Sequence, residues 1–169
     1  MVTDILLETA LWASVPEERR QEWRLAIREL IDDHLFRVEQ SPLLLRVSWD
    51  EQAVTLRFET VPGEVVAEVK LDRARLGQQM ATYVDACKQL AALEANHASV
   101  VEIGVLDQAK RDAHDLAARD LLSDLDPVGP THDTARRIFT LLVVLLVDTT
   151  KLSTLQRPHS SDVIARYHH

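Results

Sequence analysis

Asp107, Lys110, Arg111 and His114 stand at i, i+3, i+4 and i+7, a spacing that places four ionisable side chains on one face of a helix. Two cations there could hold a phosphate or a carboxylate. An imidazole beside them could give or take a proton near neutral pH. The same row also describes a solvated helix face laced by an Asp107–Arg111 pair. A second pair of cations, Arg136 and Arg137, opens an apolar stretch. If that stretch is a helix, its positive end carries two more positive charges, an arrangement disfavoured by about 0.3–1 kcal/mol per charge. Compensation must come either from internal carboxylates, with Asp107, Asp115 and Asp133 as candidates, or from a bound anion. Free helix-start N–H groups and two guanidinium forks suit a phosphate or carboxylate.

Other chemistry finds little support. Of the seven histidines, His34, His97, His114 and His132 are scattered and show no metal-ligand spacing. His34 falls on an apolar helix face and reads as a hydrogen-bonded histidine at the edge of the core. Cys87 is the only cysteine, so no intrachain disulfide can form and a reducing compartment is compatible. It shares a face with Tyr83 and Leu90 and reads as buried and inert. No glycine-rich phosphate loop, nucleophile elbow, zinc motif or deaminase signature occurs. No cofactor and no metal are expected, and an enzyme is the less favoured reading.

The element that must position these residues is Thr134 to Val147. From Ile138 to Val147 its only polar side chain is Thr140. A helix apolar on nearly all sides belongs inside the protein, and this one is too short for a bilayer, which needs about 20 apolar residues. Asp133 is its expected cap, and Lys151 its approximate end. Around it the chain predicts a short helix from Asp4 to Ala13, then a second from about Pro16 to Val38. Ser14-Val15-Pro16-Glu17 reads as the capping box of the second helix. Ser41-Pro42 ends that helix. Three runs then alternate: Leu43 to Trp49, Val54 to Phe58 and Val65 to Leu71. Asp50-Glu51-Gln52 and Pro62-Gly63 join them as turns, which predicts an antiparallel meander with one buried face. A third helix follows, capped by Asp72, with Leu76, Met80, Tyr83, Cys87, Leu90 and Glu94 on one face. Val100 to Leu106 is ambiguous between strand and helix, because it is β-branched and contains Gly104. Leu106 to Leu122 reads as helix, and Asp124 to Pro130 as a loop.

The chain has 169 residues, 46% apolar and 27% charged, which fits a globular domain of ordinary size. A net charge of −8 argues against nucleic acid or an anionic membrane as partner. The N-terminus lacks a basic segment ahead of its apolar residues, so it does not read as a secretory signal, and a cytoplasmic location is expected.

With the elements placed, a likeness emerges. Asp133-Thr134-Ala135-Arg136-Arg137-Ile138-Phe139-Thr140-Leu141 resembles a block, Asp-Thr-Ala-Arg-Arg-Leu-Phe-Thr-Leu, found near the C-terminus of an uncharacterised family of small alphaproteobacterial proteins. An earlier block of that family reads Asp-Met-Gly-Arg-Arg, two variable residues, then His-Asn-Glu-Gly. Asp107, Arg111 and His114 match it, Lys110 replaces an arginine, and Asp115-Leu116-Ala117 stands where Asn-Glu-Gly would be. The meander and the helix carrying Tyr83 and Cys87 resemble the family in order and spacing, so the likeness spans roughly residues 20 to 150. It implies a shared fold unit and marks polar residues to follow. It brings no activity.

The sequence therefore predicts an α+β fold: a three-stranded antiparallel meander packed on a bundle of about five helices, with the Thr134–Val147 helix central. Residues 1–152 form the domain and 153–169 a polar tail. The favoured function is a non-enzymatic protein-interaction or regulatory module, associating with itself or with a protein partner. The competing reading is a binder of, or enzyme on, a small anionic metabolite, held by Arg136, Arg137, Arg111, His114 and Lys110 with Asp107.

Overall fold

The computed structural model describes residues 1–39 and 42–150. The expectations for Ser41 and for the tail 153–169 lie outside them. The elements in order are β1 (Val2–Leu6), α1 (Thr9–Ala13), α2 (Glu17–Asp32), β2 (Leu43–Trp49), β3 (Ala53–Thr60), β4 (Val65–Asp72), α3 (Arg73–Ala95), α4 (Val100–Asp124) and α5 (His132–Leu146). The α+β class and the five helices stand. The three-stranded meander is not the whole sheet: β2, β3 and β4 pair antiparallel in sequence order, and β1 adds a fourth strand parallel to β2.

The helix expected from Asp4 to Ala13 is therefore a strand followed by one short helix. The open edge of β2 decides against a helix over the first part of that stretch. Val2 pairs with Leu43 and Ile5 with Leu45, which buries Val2 and Ile5 in the core. Local helix propensity is worth a few tenths of a kcal/mol per residue, less than burial of two aliphatic side chains. Two backbone donors of β1 also find side-chain acceptors. The Val2 N–H donates to His34 Nε2 at 2.9 Å, and the Ile5 N–H to the Asp4 carboxylate at 2.8 Å. His34 Nδ1 lies 2.8 Å from the Leu30 carbonyl and so carries the ring proton. It is the half-buried, hydrogen-bonded core-edge histidine that the sequence predicts.

The second helix stops at Asp32, six residues short of Val38. Tertiary bonds claim the backbone beyond it. The Leu35 N–H donates to Thr134 Oγ1 at 2.7 Å, Phe36 bridges to Pro130, and the Arg37 N–H donates to the Gly129 carbonyl at 3.0 Å. At its start Pro16 is the N-cap residue with no side-chain cap, and the Ser14 hydroxyl bonds Leu11 O instead, so the expected capping box is absent. A capping box does occur at Ser99 and Glu102. It settles Val100 to Leu106 as the first turns of α4. Asp72 caps α3 as expected, while Thr131 rather than Asp133 caps α5.

Strand alternation turns Leu43, Leu45, Val47, Val54, Leu56, Phe58, Val69 and Leu71 into the core. On the opposite face Arg46 and Arg57 approach Glu59 at 2.8 and 3.6 Å, and Arg57 also meets Glu68 at 3.4 Å. Glu59 is buried beneath the two guanidinium groups. Leu44 and Val66, which alternation sets opposite the core, are half-buried. α5 packs between α2 and α4, and α4 packs on α3. Nine of the fifteen residues of α5 are buried, Val144 and Leu145 among them. The central helix of the sequence reading is the centre of the helical layer.

Candidate functional site

The packing of α4 against α5 decides what the predicted cations can do. Asp107, Arg111 and His114 do share one face of α4, and at His114 that face meets α5, while Asp107 and Arg111 are partly buried. Asp107 and Arg111 pair within the helix at 2.7 Å, each about one-third exposed. Lys110, on the same side, is half-buried.

His114 is the innermost member, 6% exposed. Its Nε2 lies 2.9 Å from the Arg136 carbonyl oxygen and 3.1 Å from Thr140 Oγ1. A carbonyl only accepts, so Nε2 carries the proton. Nδ1 is left as an acceptor, 3.4 Å from Arg136 Nη2. The imidazole is thus fixed as one neutral tautomer between the backbone and the guanidinium of the same residue. Aromatic rings close the cage. Tyr83 from α3 lies 5.1 Å from the His114 ring, and Phe139 lies 5.7 Å from both. Burial pushes the Tyr83 hydroxyl well above its ordinary pKa, and neighbouring Cys87 adds to the rise. Tyr83 therefore stays a phenol. Cys87 is fully buried, as its helical position predicts.

Both arginines at the start of α5 find carboxylates. Arg136 Nε lies 3.3 Å from Asp115 Oδ1. The approach is off line for a hydrogen bond, so both atoms are buried without a hydrogen-bond partner, and the pair attracts as charges only. Arg137 makes a short contact with Asp33, just past the end of α2. The burden of two cations at the positive end of a helix is relieved by carboxylates of the chain itself. Asp115 was among the expected candidates. Asp33, 104 residues away in the chain, had no sequence signal beyond being acidic. Tyr83, Phe139 and Thr140 were read only as helix-face or core residues, and α-helical spacing alone does not show which helix they meet.

The cluster joins α3, α4, α5 and the end of α2. Its geometry is that of a brace: the imidazole is bonded at both nitrogens, and three of the candidate cations touch carboxylates. Among the described residues no group of three histidines, cysteines or carboxylates could hold a metal ion, and no helix is long and apolar enough to cross a membrane.

A shallow depression lies on the other side of α5, lined by Glu22, Leu25, Ala26 and Glu29 of α2 and by Thr140, Val144 and Thr149. Burial raises the Glu29 carboxyl above its ordinary pKa, with Arg137 pulling it down. A carboxyl whose folded-state pKa exceeds its unfolded value loses stability as pH rises through that interval, and the deficit persists above it. Glu29→Gln is therefore expected to raise the melting temperature at pH 7. The rise should be small, because the side chain keeps contact with water. It should disappear below about pH 4, where the native carboxyl is protonated too. Melting curves at the two pH values check this; an equal shift at both would assign the gain to something other than ionisation.

Comparison with known proteins places the chain. It is 29% identical over 152 residues to a UPF0262 protein of Dinoroseobacter shibae, covering 84% of this chain and 94% of the relative. A UPF0262 protein of Ruegeria sp. strain TM1040 is 30% identical over 138 residues, covering 76% and 86%. One from Erythrobacter litoralis is 30% identical over 145 residues, covering 81% and 89%. No solved structure matches the chain. The model of the uncharacterised protein family UPF0262 matches residues 1–148, and with a match of that extent this chain belongs to that family.

Proposed function

We propose that the chain is a non-enzymatic protein-docking module, and that its contact surface is the first half of α4. One observation carries the reading. α4 has no buried residue before His114, and its opening turns expose Val100, Val101 and Val105 at 71%, 76% and 65%. Isolated apolar residues at a surface need no explanation, whereas three valines within six residues of one helix form a patch. The engagement of Arg111, Arg136 and Arg137 by Asp107, Asp115 and Asp33 supports the same reading. An anionic metabolite would have to displace those carboxylates.

The test is the double variant Val101→Asp/Val105→Asp. Both side chains are solvated in the folded chain, and acidic residues suit the first turns of a helix. Melting temperature should therefore stay within a few degrees of the parent. Immobilised parent protein is expected to retain from host-cell extract at least one protein that the double variant fails to retain. Equal retention by both would remove this surface and the docking reading with it.

A further inference from the structure

His34 follows the end of α2 and ties that end to β1 through both ring nitrogens. Nδ1 faces the Leu30 and Ile31 carbonyls at 2.8 and 3.0 Å and carries the proton. Nε2 is then a bare lone pair, and it accepts the Val2 N–H at 2.9 Å. The strand held in this way is short. β1 has five residues, stands at the edge of the sheet beside β2, and places Val2 and Ile5 next to Leu43 and Leu45 in the core. In so short a strand each backbone hydrogen bond is a large share of the attachment.

An imidazole takes its second proton within about pH 5–8. At His34 that proton can go only to Nε2, the atom that accepts from Val2. Two N–H groups would then point at each other. The Val2 N–H loses its acceptor, and the new N–H gains none. The charged groups around the ring are engaged elsewhere or carry the wrong sign. On α2, Asp33 pairs with Arg137 of α5, Glu29 interacts with the same guanidinium, and Asp32 is exposed, as is Asp133 of α5. On β1, the Asp4 carboxylate accepts the Ile5 N–H, and the Met1 amine is a cation. Beyond α2, Arg37 is a cation paired with Asp126, and the neighbouring ring, 5.5 Å from the imidazole, is Phe36.

We propose that His34 is an acid-sensitive clasp on β1: a proton on Nε2 releases the Val2 N–H, and β1 opens from β2, uncovering that strand's edge and the core beside Leu43 and Leu45. The second internal histidine acts elsewhere. The His114 lone pair meets the Arg136 guanidinium at 3.4 Å, so its protonation bears on α4 and α5.

Hydrogen–deuterium exchange of the full chain at about pH 7.5 and about pH 5.5, corrected for intrinsic rates, reads the opening. The amides of β1 and of residues 43–46 are expected to exchange about tenfold or more faster at the lower pH, which corresponds to one lost hydrogen bond at about 1.4 kcal/mol. The amides of α3 should change far less. His34→Gln is the discriminating variant. A carboxamide offers an acceptor and a donor but takes no proton in this range, so the pH step in β1 should vanish whatever its protection at neutral pH. Equal exchange of β1 in the parent at both pH values would overturn the clasp. A His34→Gln protein that keeps the step would do the same. An acid response spread evenly over all elements would also overturn it, because it would mark general acid destabilisation.

Discussion

Val144→Asp is expected to abolish folding: the protein should accumulate as insoluble material, and any soluble fraction should lack a cooperative melting transition. Val144 is 6% exposed and lies on the α2-facing side of α5. A valine truncated to alanine there would lose about 2 kcal/mol of burial. An aspartate loses the same burial and adds an uncompensated carboxylate. The charged residues that line the depression with it are Glu22 and Glu29, both of like sign. Burial already holds the Glu29 carboxyl above its ordinary range, so the site stabilises no further negative charge. Desolvation of an unpaired charge amounts to several kcal/mol, against a total stability of about 5–15 kcal/mol for a domain. Circular dichroism and a denaturation curve on the refolded material check the outcome. A soluble Val144→Asp protein with a sharp transition would mean that α5 is not the core of the fold.

How much of this was legible in the chain divides along range. Periodicity located α5, because ten residues with one polar side chain have nowhere to go but inside. Alternation located β2, β3 and β4 and assigned their buried face, since one slip of register would have turned every leucine outward. The face carrying Asp107, Arg111 and His114 was visible from spacing, but what that face meets was not. Whether His114 is a solvated base or a caged imidazole depends on Arg136, 22 residues on, and on rings from two other helices. β1 was missed because five residues with Thr3 and Asp4 among them carry little strand signal of their own and become a strand only when an edge is offered, and that edge lies about forty residues downstream. The end of α2 was misplaced for a related reason. Nothing in His34 to Val38 forbids a helix; the carbonyls and hydroxyl of the α4–α5 connection and of Thr134 bind that backbone more favourably. Asp33 as partner of Arg137 follows from the same change of course, since it lies where the chain leaves α2.

The termination of α5 shows the limit of local signals most directly, and it carries the other large expected effect. A helix leaves its last carbonyls without intrahelical partners, and a buried helix has no water to supply them. No glycine cap or polar side chain at the end of α5 does so either. The donors come from α2, one turn apart: Trp23 Nε1 donates to the Val144 carbonyl at 3.0 Å and Arg19 Nη2 to the Leu145 carbonyl at 3.2 Å. The guanidinium also lies over the Trp23 ring, 5.6 Å from its centre, and brings positive charge to the negative end of the helix dipole. Trp23 is at the same time almost fully buried and sits edge-on to Trp12 of α1 and Trp49 of β2, at 5.3 and 6.3 Å. One side chain thus joins α1, α2, α5 and the sheet. Trp23→Ala is expected to destabilise by about 3–5 kcal/mol, a fall in melting temperature of about 10 °C or more. Trp23→Phe restores much of the ring volume but no donor, and should retain a loss of about 1–3 kcal/mol from the unpartnered carbonyl. Because Arg19 and Trp23 end the same helix and touch each other, Arg19→Met and Trp23→Phe should couple by about 0.5 kcal/mol or more when combined. Urea denaturation of the four proteins of that cycle measures the coupling. Strict additivity would show that the two side chains act separately and that α5 does not depend on a shared cap from α2.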